Sequence, residues 1–390
     1  MQHDARAHPP LPSPPHRTGL KVAGCGGHDS GPDRLRAHRR PLGPRPGAGC
    51  YARRNSMTAP TDVPIAPDAR LHVATHGSAA EPGATGRAGA KAILLGEHAV
   101  VYGRPAIAIP VRALGVEAHA RPADDRGHLA STLYHGPIAQ APDRLGVTLT
   151  AMRAALAAAG RPGAALDIAI ESSIPAERGL GSSAAVSAAV IEAVLGACGF
   201  TADDETMHEL IQTAERAAHG APSGLDARTV RARKAVWFDR GRIEPVSVGD
   251  DLVFVIADTG VRGRTREAVA AVADRREHDP RGVESALDEL GELATALRGD
   301  VSTADRDAIG RAMSRAHELL NGLGVGDPAL DHLVRAAMAG GALGAKLTGG
   351  GRGGCVLALA RDTASAEELG GRLTRAGAAA VWTTTVEGVA

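Results

Sequence analysis

One segment limits the folds open to this chain more than any other: Ile174-Pro175-Ala176-Glu177-Arg178-Gly179-Leu180-Gly181-Ser182-Ser183-Ala184-Ala185. It follows an apolar run that reads as a strand, Leu166–Ile170, and it opens a run of small residues that reads as a helix, Ala184–Ala197. Gly179 and Gly181 let the backbone approach a ligand closely. The N–H groups of the first helical turn and the positive end of the helix dipole then face an anion. The hydroxyls of Ser182 and Ser183 suit a phosphate or a metal. No Lys follows the glycines, so this is not a Walker loop. A serine-capped helix after a tight turn would use the same residues, and the segment alone does not choose between the two.

Three further segments bring chemistry-bearing side chains together. Lys346-Leu347-Thr348-Gly349-Gly350-Gly351-Arg352-Gly353-Gly354-Cys355 holds five glycines in six positions ahead of an apolar strand. Each ordered glycine costs roughly 0.5–1 kcal/mol, so either bare backbone amides are needed there or the segment is a flexible hairpin. Lys91-Ala92-Ile93-Leu94-Leu95-Gly96-Glu97-His98-Ala99-Val100-Val101-Tyr102-Gly103 runs a strand into a turn. Its Glu-His pair would suit a metal, although solvated turn residues are commoner, and Lys91 by itself reads as a surface residue. In Glu215-Arg216-Ala217-Ala218-His219-Gly220-Ala221-Pro222-Ser223-Gly224-Leu225-Asp226 a helix ends at Gly and Pro and leaves Asp226 on a constrained loop. Two carboxylates across such a turn suit one hard cation and one proton acceptor; taken alone, Asp226 reads first as a helix cap.

Composition narrows the partners. The 44 basic residues cancel the 44 acidic ones, which argues against nucleic acid or an anionic membrane and for a phosphate gripped locally. Only 2 % of residues are aromatic, so Ala, Val, Leu and Ile must build the core. No run of about 18 apolar residues predicts a transmembrane helix. The four Cys occur singly, without a C-x-x-C pair, which predicts a cytoplasmic chain with Cys198 and Cys355 as buried thiols. At 390 residues two domains are expected. Residues 1–56 carry nine Pro and no hydrophobic periodicity. Residues 1–85 are therefore expected to be a disordered extension without chemistry, or upstream sequence with translation starting near Met57. Strands are expected at Ala92–Leu95, Ala106–Val111, Val116–Ala120, Leu166–Ile170, Ala235–Phe238, Leu252–Ala257, Cys355–Ala360 and Ala380–Thr385. Helices are expected at Ala184–Ala197, Asp204–Ala218, Arg264–Ala273, Val283–Leu297, Ala304–Leu320 and Pro328–Ala339. Early strands and later long helices predict an α+β chain in two lobes.

In their order along the chain the four segments resemble the GHMP kinases, the family of galactokinase, homoserine kinase, mevalonate kinase and phosphomevalonate kinase, from about Gly86 to Ala390. Gly179–Ala185 is similar to the family's specific Pro-x-x-x-Gly-Leu-Gly-Ser-Ser-Ala-Ala phosphate loop. Gly96–Gly103 and Glu215–Asp226 look most like the mevalonate kinase members. Galactokinases have an Arg before the Gly-Glu-His, and homoserine kinases lack this Asp. The resemblance implies a two-lobed GHMP kinase fold: an N-terminal lobe, residues 86–245, like ribosomal protein S5 domain 2, and a ferredoxin-like C-terminal lobe, residues 246–390. It further implies ATP-dependent phosphorylation of the primary hydroxyl of mevalonate, with Mg²⁺, in isoprenoid precursor synthesis.

On that resemblance Asp226 accepts the hydroxyl proton, and Lys91 pairs with Asp226 and lowers the pKa of the hydroxyl. Gly179, Leu180, Gly181, Ser182, Ser183 and Ala184 bind the nucleotide phosphates, and Ser183 and Glu215 hold Mg²⁺. Glu97, His98 and Thr265 face the substrate, with Gly349, Gly351 and Gly353 lining the far wall. An ordinary carboxylate is a weak base, so Asp226 is expected mainly to orient the hydroxyl. A homodimer is compatible with the resemblance. The last loop departs from the family pattern, with Gly350 for Ala and Arg352 for Gly; Arg352 would meet a phosphate or substrate carboxylate, or point to solvent. Arg262, Arg264 and Arg266 would serve a phosphomevalonate acceptor, or form a solvated face. A ligand sensor on this fold would have lost Asp226, Lys91 or Ser183, and all three are present.

Overall fold

A computed structural model of the chain describes residues 70–73, 83–124, 126–219 and 222–388. The chain opens with β1 (Leu71–Val73), β2 (Ala84–Leu95), β3 (Ala106–Pro122), β4 (His128–Ser131) and β5 (Tyr134–Pro137). Next come α1 (Gly146–Ala158), β6 (Leu166–Ser172), α2 (Ser182–Ala197), β7 (Phe200–Ala202), α3 (Asp204–His219) and the short α4 (Leu225–Thr229). The hairpin of β8 (Val236–Asp239) and β9 (Arg242–Pro245) precedes β10 (Leu252–Asp258). Four helices follow: α5 (Thr265–His278), α6 (Pro280–Thr303), α7 (Arg306–Gly322) and α8 (Pro328–Ala339). The chain closes with β11 (Gly344–Thr348), β12 (Cys355–Leu359), α9 (Thr363–Arg375) and β13 (Ala380–Val386). Among the described residues no helix is long and apolar enough to cross a membrane.

Two large sheets and the small β1–β7 pair organise these elements among the described residues, as an α+β chain. The first has seven strands in the order β5-β4-β6-β3-β8-β9, with β2 paired to β3. β3 is its spine: its first residues pair with β8, its last with β6, and β2 runs antiparallel beside it. The second sheet is antiparallel, in the order β11-β12-β10-β13. Numbered along the chain from β10, that order is 2-3-1-4 with helices in the first and last connections, the split β-α-β arrangement of ferredoxin-like folds.

Two expectations need correction. Residues 71–73, inside the stretch expected to be disordered, form β1 and pair with β7, and Arg70 N donates to Thr206 Oγ1 at 2.9 Å. β7 offers β1 a ladder to complete, which composition could not reveal. Met57 and the rest of the N-terminal stretch lie outside the described residues. The two strands expected at 106–111 and 116–120 are one continuous β3. Its pairing with β2 jumps from Gly89↔Gly115 to Ala90↔Val111, so residues 112–114 bulge out instead of ending the strand.

The core follows the aliphatic composition. α2 is buried along most of its length through Ala184, Ala185, Ala188, Ala189, Val190 and Ile191. Its small side chains let β2 come very close: a Cβ added at Gly86 would lie 2.1 Å from Ala189 O. That contact fixes the start of α2 relative to β2, and the site is built between those two elements.

Candidate active site

Alternate residues of β2 point their N–H groups away from β3. Gly89 N donates to Val230 O at 2.9 Å and Lys91 N to Leu180 O at 3.0 Å. The glycine loop before α2 and the end of α4 therefore both hang on one strand. Gly181, at φ +74°, is the N-cap of α2, and a Cβ there would sit 2.9 Å from Lys91 Cγ. Only a bare glycine lets the lysine stem cross beneath the helix start. Lys91 Nζ then reaches Asp226 Oδ1 at 2.8 Å and Gly179 O at 3.4 Å. The Lys91 side chain is 2 % exposed and that of Asp226 39 %. The ammonium is thus fixed inside the protein, and the carboxylate it holds opens to solvent. Lys91 is no surface residue, and Asp226 sits in the first turn of α4 behind Gly224 as N-cap.

No side chain caps the first turn of α2. Ser182 and Ser183 lie within the helix, so the serine-cap alternative does not apply and the first-turn N–H groups face outward, where an anion is favoured. Ser183 Oγ instead donates to Glu215 Oε1 at 2.6 Å. Burial pushes the Glu215 carboxyl up to about 7; Asp226 pushes it the same way, while the Ser183 hydrogen bond and the Lys91 charge oppose the rise.

A second cluster lies where the turn after β2 meets the loop between β11 and β12. His98, at φ +60°, donates from Nε2 to Gly350 O at 2.9 Å. A carbonyl only accepts, so Nε2 carries the proton and Nδ1 is a bare acceptor. Burial lowers the His98 pKa, with the Arg352 charge adding to the effect and the Gly350 carbonyl opposing it; the ring is neutral at pH 7. Its Nδ1 is buried without a hydrogen-bond partner, as is Oε2 of Glu97. The other oxygen of Glu97 pairs with the fully buried ammonium of Lys346. Lys346 also donates to Leu347 O at 2.7 Å and Ile93 O at 3.4 Å, so its three protons are taken. Burial raises the Glu97 pKa and lowers that of Lys346, and each charge counters the shift of the other. The cluster therefore holds two buried acceptors, Glu97 Oε2 and His98 Nδ1, without a donor.

Comparison with known proteins bears on this geometry. Residues 147–230 match the model of the GHMP kinase N-terminal domain, and residues 283–379 that of the GHMP kinase C-terminal domain. The mevalonate kinase of Pyrococcus horikoshii is 35 % identical over 309 residues, covering 72 % of this chain and 91 % of that protein. The chain belongs to the GHMP kinase family. Among solved structures, the mevalonate kinase of methicillin-resistant Staphylococcus aureus MRSA252 matches at a TM-score of 0.61 and 28 % identity, covering 78 % of this kinase and 99 % of that chain. The L. major mevalonate kinase in complex with R-mevalonate shares the fold, at a TM-score of 0.68 and 23 % identity, over 83 % of this kinase and 100 % of that chain.

The structure of this GHMP kinase brings Lys91, Asp226, Gly179, Leu180, Gly181, Ser182, Ser183, Ala184 and Glu215 into one group. Leu180 and Ala184 are buried, and Leu180 acts through its carbonyl. Glu97, His98 and Thr265 gather around the second glycine loop; a Cβ at Gly350 would lie 2.5 Å from Thr265 Oγ1, so the glycine there makes room for the threonine. Gly349 packs on Gly179 (2.5 Å from its would-be Cβ to Gly179 Cα), while Gly351 lies against Val325 O and Gly353 against Arg262 O. Those close approaches account for the glycines by packing. Arg352 leans toward the α7–α8 connection, its Nε donating to Gly324 O at 3.4 Å.

Sequence reasoning gave no role to Lys346, Thr348, Arg178 or Asp258. Thr348 Oγ1 accepts from Ile93 N at 3.0 Å and donates to Ile93 O at 3.1 Å, joining β11 to β2. A lysine inside an otherwise apolar strand was the available signal for Lys346. Among the described residues no cluster of three His, Cys, Asp or Glu forms a metal cage. Ser183 Oγ at the start of α2 and Glu215 Oε1 near the end of α3, hard oxygen donors 2.6 Å apart, fit Mg²⁺, which keeps waters and takes one or two protein ligands besides phosphate.

Proposed function

We propose that this kinase transfers the γ-phosphoryl group of ATP to the primary hydroxyl of mevalonate, giving 5-phosphomevalonate and ADP. The observation that carries the reading is the pair of a buried Lys91 and a solvent-facing Asp226 beneath the uncapped start of α2, in a chain with mevalonate kinase relatives at 32–35 % identity. Phosphoryl transfer runs through a loose transition state, so positioning and electrostatics dominate. The amides of Gly179, Gly181, Ser182 and Ser183 receive the phosphates, and the fixed Lys91 ammonium adds positive charge beside them. Asp226 accepts a hydrogen bond from the substrate hydroxyl and aims its oxygen in line with the β–γ bridge. As the new P–O bond forms and the bridge bond breaks, the hydroxyl proton passes to Asp226 and ADP leaves. Ser183 and Glu215 would hold Mg²⁺, which when bound neutralises charge on the phosphoryl oxygens.

On the acceptor side, Glu97 Oε2 and His98 Nδ1 suit hydroxyl groups and repel a phosphate. Of the arginines that would serve phosphomevalonate, Arg262 faces Glu177 at 3.5 Å and Arg264 faces Glu267 at 3.4 Å. Both pairs are exposed, as a solvated face would be. The free thiols of Cys198 and Cys355 support a reducing, cytoplasmic setting.

A coupled ADP-release assay with mevalonate, phosphomevalonate, homoserine and galactose tests the reading. Turnover is expected with mevalonate alone; turnover only with another acceptor, or none, overturns it. Asp226→Ala should lower kcat by about 10²–10⁴-fold while MgATP affinity stays within about twofold. A variant keeping a tenth or more of the activity refutes the role of Asp226.

A further inference from the structure

The glycine loop before α2 meets two other loops at one junction, and a single shielded ion pair closes it. Arg178 Nε lies 2.8 Å from Asp258 Oδ1 and 2.9 Å from Oδ2, and its Nη2 donates to Gly260 O at 3.2 Å. Asp258 ends β10, and its Oδ1 also accepts from Gly260 N at 2.8 Å, so the same carboxylate forms the turn that leads to α5. Backbone bonds repeat the link on both sides. Gly263 N donates to Glu177 O at 2.8 Å, Thr259 N to Gly354 O at 3.0 Å, and Gly354 N to Val261 O at 2.8 Å. Glu177 holds a left-handed φ of +58°, which a non-glycine residue adopts only when its surroundings impose it.

Exposure separates this pair from its neighbour. The side chains of Arg178 and Asp258 are 15 % and 8 % exposed, whereas those of Arg262 and Glu177, across the same junction, are 80 % and 58 %. An exposed pair at 3.5 Å contributes little, while a shielded forked pair fixes geometry. Every guanidinium nitrogen of Arg178 has a protein oxygen within 3.5 Å. Its guanidinium is thus engaged by the loops it joins.

We propose that Arg178 is a positioning residue that couples the nucleotide side of the site to the acceptor side. Through Asp258 and the Gly260 turn it holds the Gly179–Gly181 loop in one frame with Thr265 and the glycine loop that His98 touches. In-line transfer needs both substrates aligned to a fraction of an ångström, and such alignment is lost when the two walls drift apart. The inference rests on the phosphoryl-transfer reading above.

The test compares Arg178→Met, Arg178→Lys, Asp258→Asn and the Arg178→Met/Asp258→Asn double variant in the full chain, at a temperature well below unfolding. Arg178→Met should raise KM for ATP and for mevalonate together by about tenfold and lower kcat by about tenfold or more. Lysine keeps the charge but cannot fork between Asp258 and Gly260 O, so it restores only part of the loss. Asp258→Asn, which keeps an acceptor for Gly260 N, should reproduce the pattern, and the double variant should add little. Calorimetry with a non-hydrolysable ATP analogue reads the nucleotide side independently of turnover. Constants within twofold of wild type with only a lower melting temperature make the pair merely structural and overturn the inference. A rise in KM for ATP alone makes Arg178 a nucleotide ligand and overturns it equally. Wild-type protein inactive on mevalonate defeats the functional reading, and this inference with it; active wild type with unaffected variants defeats this inference alone.

Discussion

Replacing Gly86 with Ala should damage the fold and the nucleotide site together. The added Cβ would lie 2.1 Å from Ala189 O, 2.7 Å from Ala193 N and 2.8 Å from Glu192 Cβ. Carbon and its neighbours pack at about 3.5–4.0 Å, so β2 and α2 must separate by about 1 Å or more. Two of the three obstacles are backbone atoms of a buried helix, which no rotamer change relieves. Overpacking costs typically about 1–3 kcal/mol, and a backbone obstacle puts this case at the upper end, about 3 kcal/mol. With an m-value of about 3 kcal/mol/M, the urea midpoint should fall by about 1 M. Because α2 carries the Ser182–Ala184 amides, the same displacement should raise KM for ATP; misplacement by about 1 Å can cost about 10²-fold in rate. Gly163→Ala is the control, since a Cβ there meets no heavy atom within 4 Å. The reasoning fails if Gly86→Ala unfolds within about 0.5 kcal/mol of wild type and binds ATP normally.

Two other outcomes follow from the site and its surroundings. Ser183→Ala and Glu215→Gln should each raise the Mg²⁺ concentration for half-maximal activity by about 10–100-fold, read by titrating Mg²⁺ at saturating ATP, and a wild-type titration in both would remove them from the metal site. Burial, reinforced by Arg228 and Arg216 and opposed by Glu205, lowers the His208 pKa to about 4. The unfolded chain then binds the extra proton between about 6.5 and 4, so stability is full above pH 6.5 and is lost as pH falls toward 4. With part of the ring in contact with water, the loss is about 1–2 kcal/mol. His208→Gln should flatten the urea midpoint between pH 6.5 and 4.5 relative to wild type, and an unchanged slope would show that the ring titrates normally.

The elements that the sequence announced are those with strong local signals. α8 falls at Pro328–Ala339 as expected, where Asp327 caps the helix and Pro328 opens it. α2 and α3 follow their glycine and acidic starts. α1 lacks such a signal, since nothing caps it: Leu145 stands at its N-cap without a side-chain bond. α9 carried a readable signal, the reciprocal Asp362 and Ser365 bonds of a capping box, which the apolar spacing alone did not disclose. β4, β5, β7 and β9 are three or four residues long and exist through their partners, which a window of local pattern cannot see.

The chain by itself determined the α+β class, the aliphatic core and, through motif resemblance, the kinase family with its ATP and acceptor. Those properties are legible in sequence because periodicity, composition and the order of the motifs along the chain are read without knowing which distant residues meet. Motif resemblance implied that Lys91 pairs with Asp226 across 135 residues, and tertiary structure decided that the lysine is buried in that pair while the carboxylate opens to solvent. Tertiary structure alone joined Lys346 to Glu97 and Arg178 to Asp258, and left Glu97 Oε2 and His98 Nδ1 without partners. Burial and pairing depend on which distant atoms exclude water from a group, and only the folded chain sets that.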